Sequence, residues 1–324
     1  MSTSPYFTIV TPVFNRHREI RRAMDSCLAQ SFSDFEVIVV DDGSSDHTAD
    51  VVAAEQDPRV HLIRHPQNRG VCPARNTAVR SARGSWIVFL DSDDELLPGC
   101  LERIEQVIRS SIPDIDRFGF RFRTDDGRLS PTPLPPSHTM GYLDWVRWID
   151  DVQLSDTLWA TRRTCFDDCM LPETTVSEFS YCLDFARRYR YRVLDEVLAV
   201  VHSDAQVRLT SQMPAAKRFD AQTSAFDRVA DWHHVLSKHG DTLRQHAPRR
   251  YQAVLRNASM SHTLAGHRWK GVCDGLACLR FNVYSPINWI SLLLALAGPR
   301  VTLWTSQLRA WHRLRAGRNH VACN

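Results

Sequence analysis

The chain reads as an α/β protein: a doubly wound, mostly parallel sheet followed by a helical extension at the C-terminal end. Three observations predict this. Short apolar, β-branched runs alternate with helix-period segments four times in about the first 95 residues. The apolar runs are continuous rather than alternating, as expected of strands buried on both faces. Charge changes in kind along the chain. Residues 1–100 carry 10 Arg against 14 Asp+Glu, residues 101–205 carry 13 basic against 18 acidic, and residues 206–324 carry 17 basic against 5 acidic, a net +12 in the last third.

Phe7 to Thr11 is the first strand, with Pro12 expected to stop it. Ile20, Met24, Cys27 and Leu28 then recur at helical spacing. Phe35 to Val40 is a second strand that runs into Asp41-Asp42-Gly43-Ser44-Ser45-Asp46, with Asp46 expected to cap a short helix around Val51 and Val52. Val60 to Ile63 is a third strand, and Pro66 to Gly70 a polar loop. Ala74 to Ala82 is helical, and Trp86 to Leu90 is a fourth strand that meets Asp91-Ser92-Asp93-Asp94. Beyond it, Ile115 to Phe122 reads as a strand, Pro131 to Pro136 as a loop, and the segment with Tyr142, Trp145, Val146 and Ile149 as a helix.

The acidic stretch is where chemistry is expected. Open parallel sheets bind ligands outside the carboxyl ends of their strands. Thr11, Asp41/Asp42 and Asp91/Asp93/Asp94 close three strands, so they should meet at one edge. Three carboxylates within four residues repel one another unless a cation holds them, and oxygen ligands suit Mg²⁺ or Mn²⁺. The alternative is a solvated acidic turn. Neither a Walker-type phosphate loop nor Gly-x-Gly-x-x-Gly after the first strand is present. Phosphate would therefore be met by metal and arginine, with Arg69 and Arg75 as candidates beside the alternative of ordinary surface arginines.

Nine scattered cysteines read as reduced thiols, Cys165/Cys169 and Cys273/Cys278 among them. Met1 to Pro5 lacks the features of a secretory signal, which favours a cytoplasmic protein. No run reaches 18 apolar residues, and Ile287 to Gly298 is too short to span a bilayer. With Trp289, Trp304, Trp311 and flanking arginines, that run is either the core of a small helical region or a docking element at the inner membrane surface, placing the protein peripherally at the cytoplasmic face.

Four stretches in order resemble family 2 of the nucleotide-sugar glycosyltransferases, which have the GT-A fold. They are Phe7 to Asn15, Val37 to Asp46, Asn68-Arg69-Gly70 with Ala74-Arg75-Asn76, and Leu90 to Asp94. The resemblance is close over residues 6–110, weaker over 111–205, and nearly absent beyond. It implies a nucleotide-sugar-binding half (1–110) and an acceptor-binding half (111–210), while the shift in charge sets off a basic helical region (211–324). It also implies that Thr11 and Asp42 contact the nucleobase region, that Asp93 sits at the ribose and diphosphate, and that Asp94 is the principal metal ligand. The family's acidic pair is matched only by Glu178, because Phe179 stands where the second acid belongs. The catalytic base is thus Glu178, or else Asp184, nearly two helical turns further on. Val200 to Asp204, with Arg208 to Thr210, resembles the family's closing strand and loop over the diphosphate, with His202 either structural or functional there.

The activity so implied is an inverting, metal-dependent transfer of a sugar, UDP-linked in the commonest case, to a saccharide or lipid-linked acceptor for a surface polysaccharide or glycolipid. No nucleic-acid partner is expected. Other classes fit less well. A phosphoacceptor receiver needs a lysine in the same domain, and the lysines are Lys217, Lys238 and Lys270. A sugar nucleotidyltransferase would open with a Gly-rich loop. A non-catalytic, membrane-docked scaffold remains as an alternative, because the acidic pair is incomplete.

Overall fold

The structure is a computed structural model that describes residues 4–135, 139–152, 156–173, 178–202 and 223–304, the last stretch with side chains from residue 228. It divides into two compact units, Met1–Ala205 and Gln206–Asn324.

The first unit is built on one sheet. Strands β1 (Phe7–Val13), β2 (Phe35–Asp41), β3 (Val60–Arg64) and β4 (Trp86–Phe89) lie parallel in the order β3-β2-β1-β4. Every residue of β1 and β2 is buried, which explains their unbroken apolar runs. The helices α1 (Glu19–Leu28), α2 (Thr48–Ala53) and α3 (Val71–Ser81) make the crossovers. The remaining strands are β5 (Asp94–Leu96), β6 (Arg117–Thr124), β7 (Leu129–Ser130), β8 (Thr157–Arg162) and β9 (Tyr191–Val201). They continue the sheet as β4-β8-β6-β9-β5, with β6 and β9 parallel and the other pairings antiparallel. Helices α4 (Cys100–Ser110), α5 (Tyr142–Asp151) and α6 (Phe179–Arg188) complete the unit.

Several sequence expectations shift in detail. Pro12 does not stop β1, which continues to Val13 with Pro12 opposite Val40. Val10 accepts from Leu90 on the β4 side and Val13 accepts from Asp42 on the β2 side. Pro12 therefore presents its missing N–H toward β4, whose pairing has already ended at Val10. Helix α3 begins at Val71 rather than Ala74. Pro73 sits in its first turn, where a backbone N–H has no helical partner anyway. Asp94 is not the tail of β4 but the first residue of β5, opposite Val201. Asp46 does not cap from the N-cap position: its carboxylate accepts from the Thr48 N–H (2.9 Å), where α2 begins. Ser203, Asp204 and Arg208 to Thr210 lie outside the described residues.

Gly84 opens the central stretch for a steric reason. A Cβ there would come within 2.6 Å of the Phe7 carbonyl carbon and of the Thr8 hydroxyl. The Gly84 N–H instead donates to the Thr8 hydroxyl (2.9 Å), which donates to Glu36 (2.7 Å).

The second unit is helical among its described residues: α7 (Thr223–His246), α8 (Pro248–Leu264), α9 (Arg268–Phe281) and α10 (Pro286–Ala297). Among the described residues, no helix is long and apolar enough to cross a membrane.

Candidate active site

The loops after β1 and β2 hold each other. Asn15 takes a left-handed backbone conformation (φ 52°), which asparagine tolerates better than most residues. Its N–H donates to the Ser44 hydroxyl (2.9 Å), and its side-chain oxygen accepts from the Ser45 N–H (2.8 Å). Gly43 has φ 76°, and a Cβ there would lie 2.6 Å from the Gln67 carbonyl carbon. The Asp-Asp-Gly-Ser motif therefore needs its glycine so that the loop before α3 can close over it.

Asp42 makes that closure. Its carboxylate accepts from the Arg69 N–H (3.0 Å to each oxygen) and the Gly70 N–H (2.7 Å), and it meets His65 Nδ1 at 2.7 Å. His65 Nε2 lies 2.9 Å from the Thr77 hydroxyl on α3. A cavity of about 400 Å³ opens beside this motif, lined by Gly43, Ser44, Arg64, His65 and Pro66. Thr11 is 1% exposed inside β1, opposite Val39.

The acidic turn follows β4. The Asp93 carboxylate pairs with Arg16 (2.9 Å), and its carbonyl accepts from Arg22 (2.9 Å). Asp94 is buried at the start of β5, and its N–H donates to the Asp91 carbonyl (3.0 Å). Asp91 is half exposed and pairs with Arg75 (2.7 Å).

Arg75 joins the two halves of the unit. One arm of its buried guanidinium reaches Asp91 and the other reaches Glu178 at the start of α6 (2.5 Å), while the carbon of the group lies 5.3 Å from the Phe89 ring centre. Burial works against the Arg75 charge, but the Glu178 and Asp91 carboxylates outweigh it and leave its pKa raised. The neighbouring Cys72 thiol is pushed up to about 12 by burial first and by Glu178 second, which keeps it in the thiol form at neutral pH. Asp184 lies instead among the groups acting on Cys169, whose pKa rises to about 11 through burial, against Arg188 and with Asp184.

Arg69 does not point into an open phosphate site. Its guanidinium pairs with Glu173 (3.3 Å), which also binds Arg80 (2.6 Å) and the Asn76 amide (3.0 Å). The Arg80 hydrogen bond leads the causes that lower the Glu173 pKa. Asn76, fully buried, exchanges two hydrogen bonds with the Leu171 backbone (2.9 and 3.2 Å). His202 bridges Glu95 and Asp125 at 3.0 Å each.

Sequence reasoning did not single out Arg16, His65 or Glu173. Arg16 directly follows the Thr-Pro-Val-Phe-Asn motif, and His65 directly precedes the polar loop, so position offered a signal for both. Glu173 offered none, because its partner Asn76 is 97 positions away.

A sheet whose parallel half carries these acidic loops, extended by an antiparallel half, is the GT-A architecture. Residues 8–151 match the model of the family described as Glycosyl transferase family 2, so the likeness to that family is a property of the first part of the chain. The succinoglycan biosynthesis protein ExoO of Rhizobium meliloti is 48% identical over 100 residues, 31% of this chain and 29% of ExoO. WcaA of Escherichia coli, described as a colanic acid biosynthesis glycosyl transferase, is 25% identical over 81% of this chain and 92% of its own length. Four relatives matched at higher identity are covered over only 29%, 38%, 40% and 36% of their lengths. Among solved structures, S. aureus TarS 1–349 in complex with UDP-GlcNAc superposes with a TM-score of 0.59 at 16% identity, covering 96% of this chain and 92% of that one.

Proposed function

We propose that the chain is an inverting, divalent-metal-dependent glycosyltransferase that moves a hexosyl group from a nucleoside-diphosphate sugar to an acceptor hydroxyl in surface polysaccharide or glycolipid synthesis. The observation that carries this reading is that Arg75 joins Glu178, at the N-cap of α6, to Asp91 in the acidic turn. A lone acidic turn would need no carboxylate from 84 or more residues away. The polysaccharide setting is taken from ExoO and WcaA, and a UDP-sugar donor from the TarS complex.

In this reading the cavity beside Gly43 takes the nucleoside. Asp42 shapes its wall by holding residues 65–70. Asp93, steadied by Arg16, sits at the ribose and diphosphate. Asp94, buried at the start of β5, would be the principal ligand of Mg²⁺ or Mn²⁺, a carboxylate oxygen suited to such a hard cation, while the Asp91 and Asp93 carboxylates are engaged with Arg75 and Arg16. Such an ion, when bound, offsets the charge that grows on the departing diphosphate. Glu178 takes the proton of the acceptor hydroxyl as that oxygen attacks the anomeric carbon, and inversion follows from the single displacement. Arg75 positions the carboxylate, and Arg69 becomes available to phosphate only by leaving Glu173.

The test is release of nucleoside diphosphate from a panel of nucleotide-sugars, with and without Mn²⁺. Metal-stimulated release from at least one donor supports a transferase. A folded chain that binds no donor in thermal-shift measurements and releases nothing would leave the non-catalytic scaffold.

A further inference from the structure

We infer that α9 and α10 form a membrane-surface anchor that docks on anionic phospholipid, a property separate from the transferase reading. The two helices make a hairpin of fixed geometry. The Arg268 guanidinium, at the start of α9, donates to the Leu296 carbonyl near the end of α10. Asn288, fully buried, donates to the carbonyls of Cys278 and Asn282 at 3.0 Å each, and the Trp289 indole donates to the Val283 carbonyl (2.8 Å).

One face of α10 is spent on packing: Asn288, Leu292 and Ala295 are buried, at helical spacing. The opposite face is apolar too. Trp289, Ile290, Leu293 and Leu296 follow an i, i+1, i+4, i+7 pattern and are all exposed, Leu293 by 58%. No charged residue interrupts Pro286–Ala297. A helix apolar on every side belongs in a protein core or in lipid. On α9, Trp269 (75% exposed) and Leu276 are also exposed, and Tyr284 in the connecting turn is 92% exposed. At about 1.5 Å per residue a 12-residue helix reaches only about 18 Å, so the hairpin lies in the interface and does not span it.

Charge selects the occupant. Residues 268–304 hold Arg268, Lys270, Arg280 and Arg300 against the single acid Asp274. That acid is engaged with His262 (2.7 Å). A second copy of the chain would bring like charges together at the rim of the contact, whereas an anionic leaflet complements them. Indole and phenol rings at the boundary also suit the headgroup level, where one edge stays wet.

Co-sedimentation of the intact chain with vesicles tests the inference. Vesicles of phosphatidylcholine with phosphatidylglycerol should pull the protein down at low salt and release it at high salt, and pure phosphatidylcholine should hold it far less. Ile287→Asp with Leu293→Asp should weaken binding by on the order of tenfold or more, since each carboxylate opposes apolar insertion. Arg280→Gln with Arg300→Gln should flatten the salt dependence, with circular dichroism unchanged in both pairs. Failure of the intact chain to bind anionic vesicles at low salt overturns the inference. So does self-association in sedimentation velocity that the Asp substitutions abolish, which would make a second copy the occupant.

Discussion

Asp42 is the residue at which a ligand role and an architectural one can be separated by measurement. Its carboxylate satisfies two backbone donors, Arg69 N–H and Gly70 N–H, and the His65 ring, all within 3.0 Å. Asp42→Ala leaves these groups unpaired in a region where Asp42 itself is 3% exposed. An unsatisfied buried donor costs about 1–3 kcal/mol, and the partly exposed loop recovers some of this from water, so a total of roughly 2–5 kcal/mol is expected. In a unit of this size about 1 kcal/mol moves the melting temperature by about 2–4 °C, which puts the loss at roughly 4–20 °C. Asp42→Asn should be far milder, about 1 kcal/mol, because an amide oxygen can still accept from the Gly70 N–H. Differential scanning fluorimetry gives the size of the effect, and amide hydrogen exchange at Arg69 and Gly70 gives its location. An Asp42→Ala protein that melts like the wild type, keeps those two amides protected, and loses only donor binding would refute the architectural role.

The remaining tests are shorter. Asp94→Asn should abolish Mn²⁺ stimulation of donor cleavage while the melting temperature moves little, because the substitution keeps shape and the backbone N–H bond to Asp91; retained stimulation would make the stretch an acidic turn only. Glu178→Gln should keep donor affinity and lower turnover by about 10²–10⁴; the same phenotype in Asp184→Asn, with Glu178→Gln active, would move the base to Asp184. Burial raises the Glu36 pKa, but hydrogen bonds from the Arg83 N–H, Thr8 and the Arg83 side chain outweigh it and leave it below 4.5. With the folded value depressed, its contribution is present above the unfolded pKa and lost as pH falls through the folded one. Glu36→Gln should therefore lower the melting temperature at neutral pH and flatten the acid limb of its pH dependence; an unchanged acid limb would show that the Glu36 network contributes nothing.

What the sequence made legible follows from where each element is buried. Strands β1, β2 and β4 are covered on both faces, so an uninterrupted apolar run identifies them whatever their neighbours. Strand β9 is not so covered. It mixes buried Val193 and Ala199 with Asp195 and Glu196, which bind Arg121 and Arg103 on neighbouring elements, and its start at Tyr191 has no local signature. The acidic cluster was visible because its members are adjacent in sequence. Their partners were not, since Arg16 with Asp93 and Glu173 with Asn76 depend on crossovers that bring together residues 77 and 97 positions apart. Pro12 misleads because a strand stops at proline only where the lost N–H was needed, and that depends on which neighbour has already ended.

The Arg75 pairing also bears on how Glu178 could serve as a base. A buried guanidinium is costly unless it is paired, and here it has two carboxylates, not one. When Glu178 takes up a proton, it ceases to compensate Arg75, yet Asp91 remains 2.7 Å from the other arm. The site can therefore pass through the protonated state without exposing an unpaired buried charge. Asp91→Asn would leave Glu178 as the sole anionic partner of Arg75, and it should lower turnover in steady-state kinetics while donor affinity holds; unchanged turnover would break this link. In the proposed mechanism Asp91 would thus act on turnover through Arg75, at a distance from the acceptor hydroxyl itself.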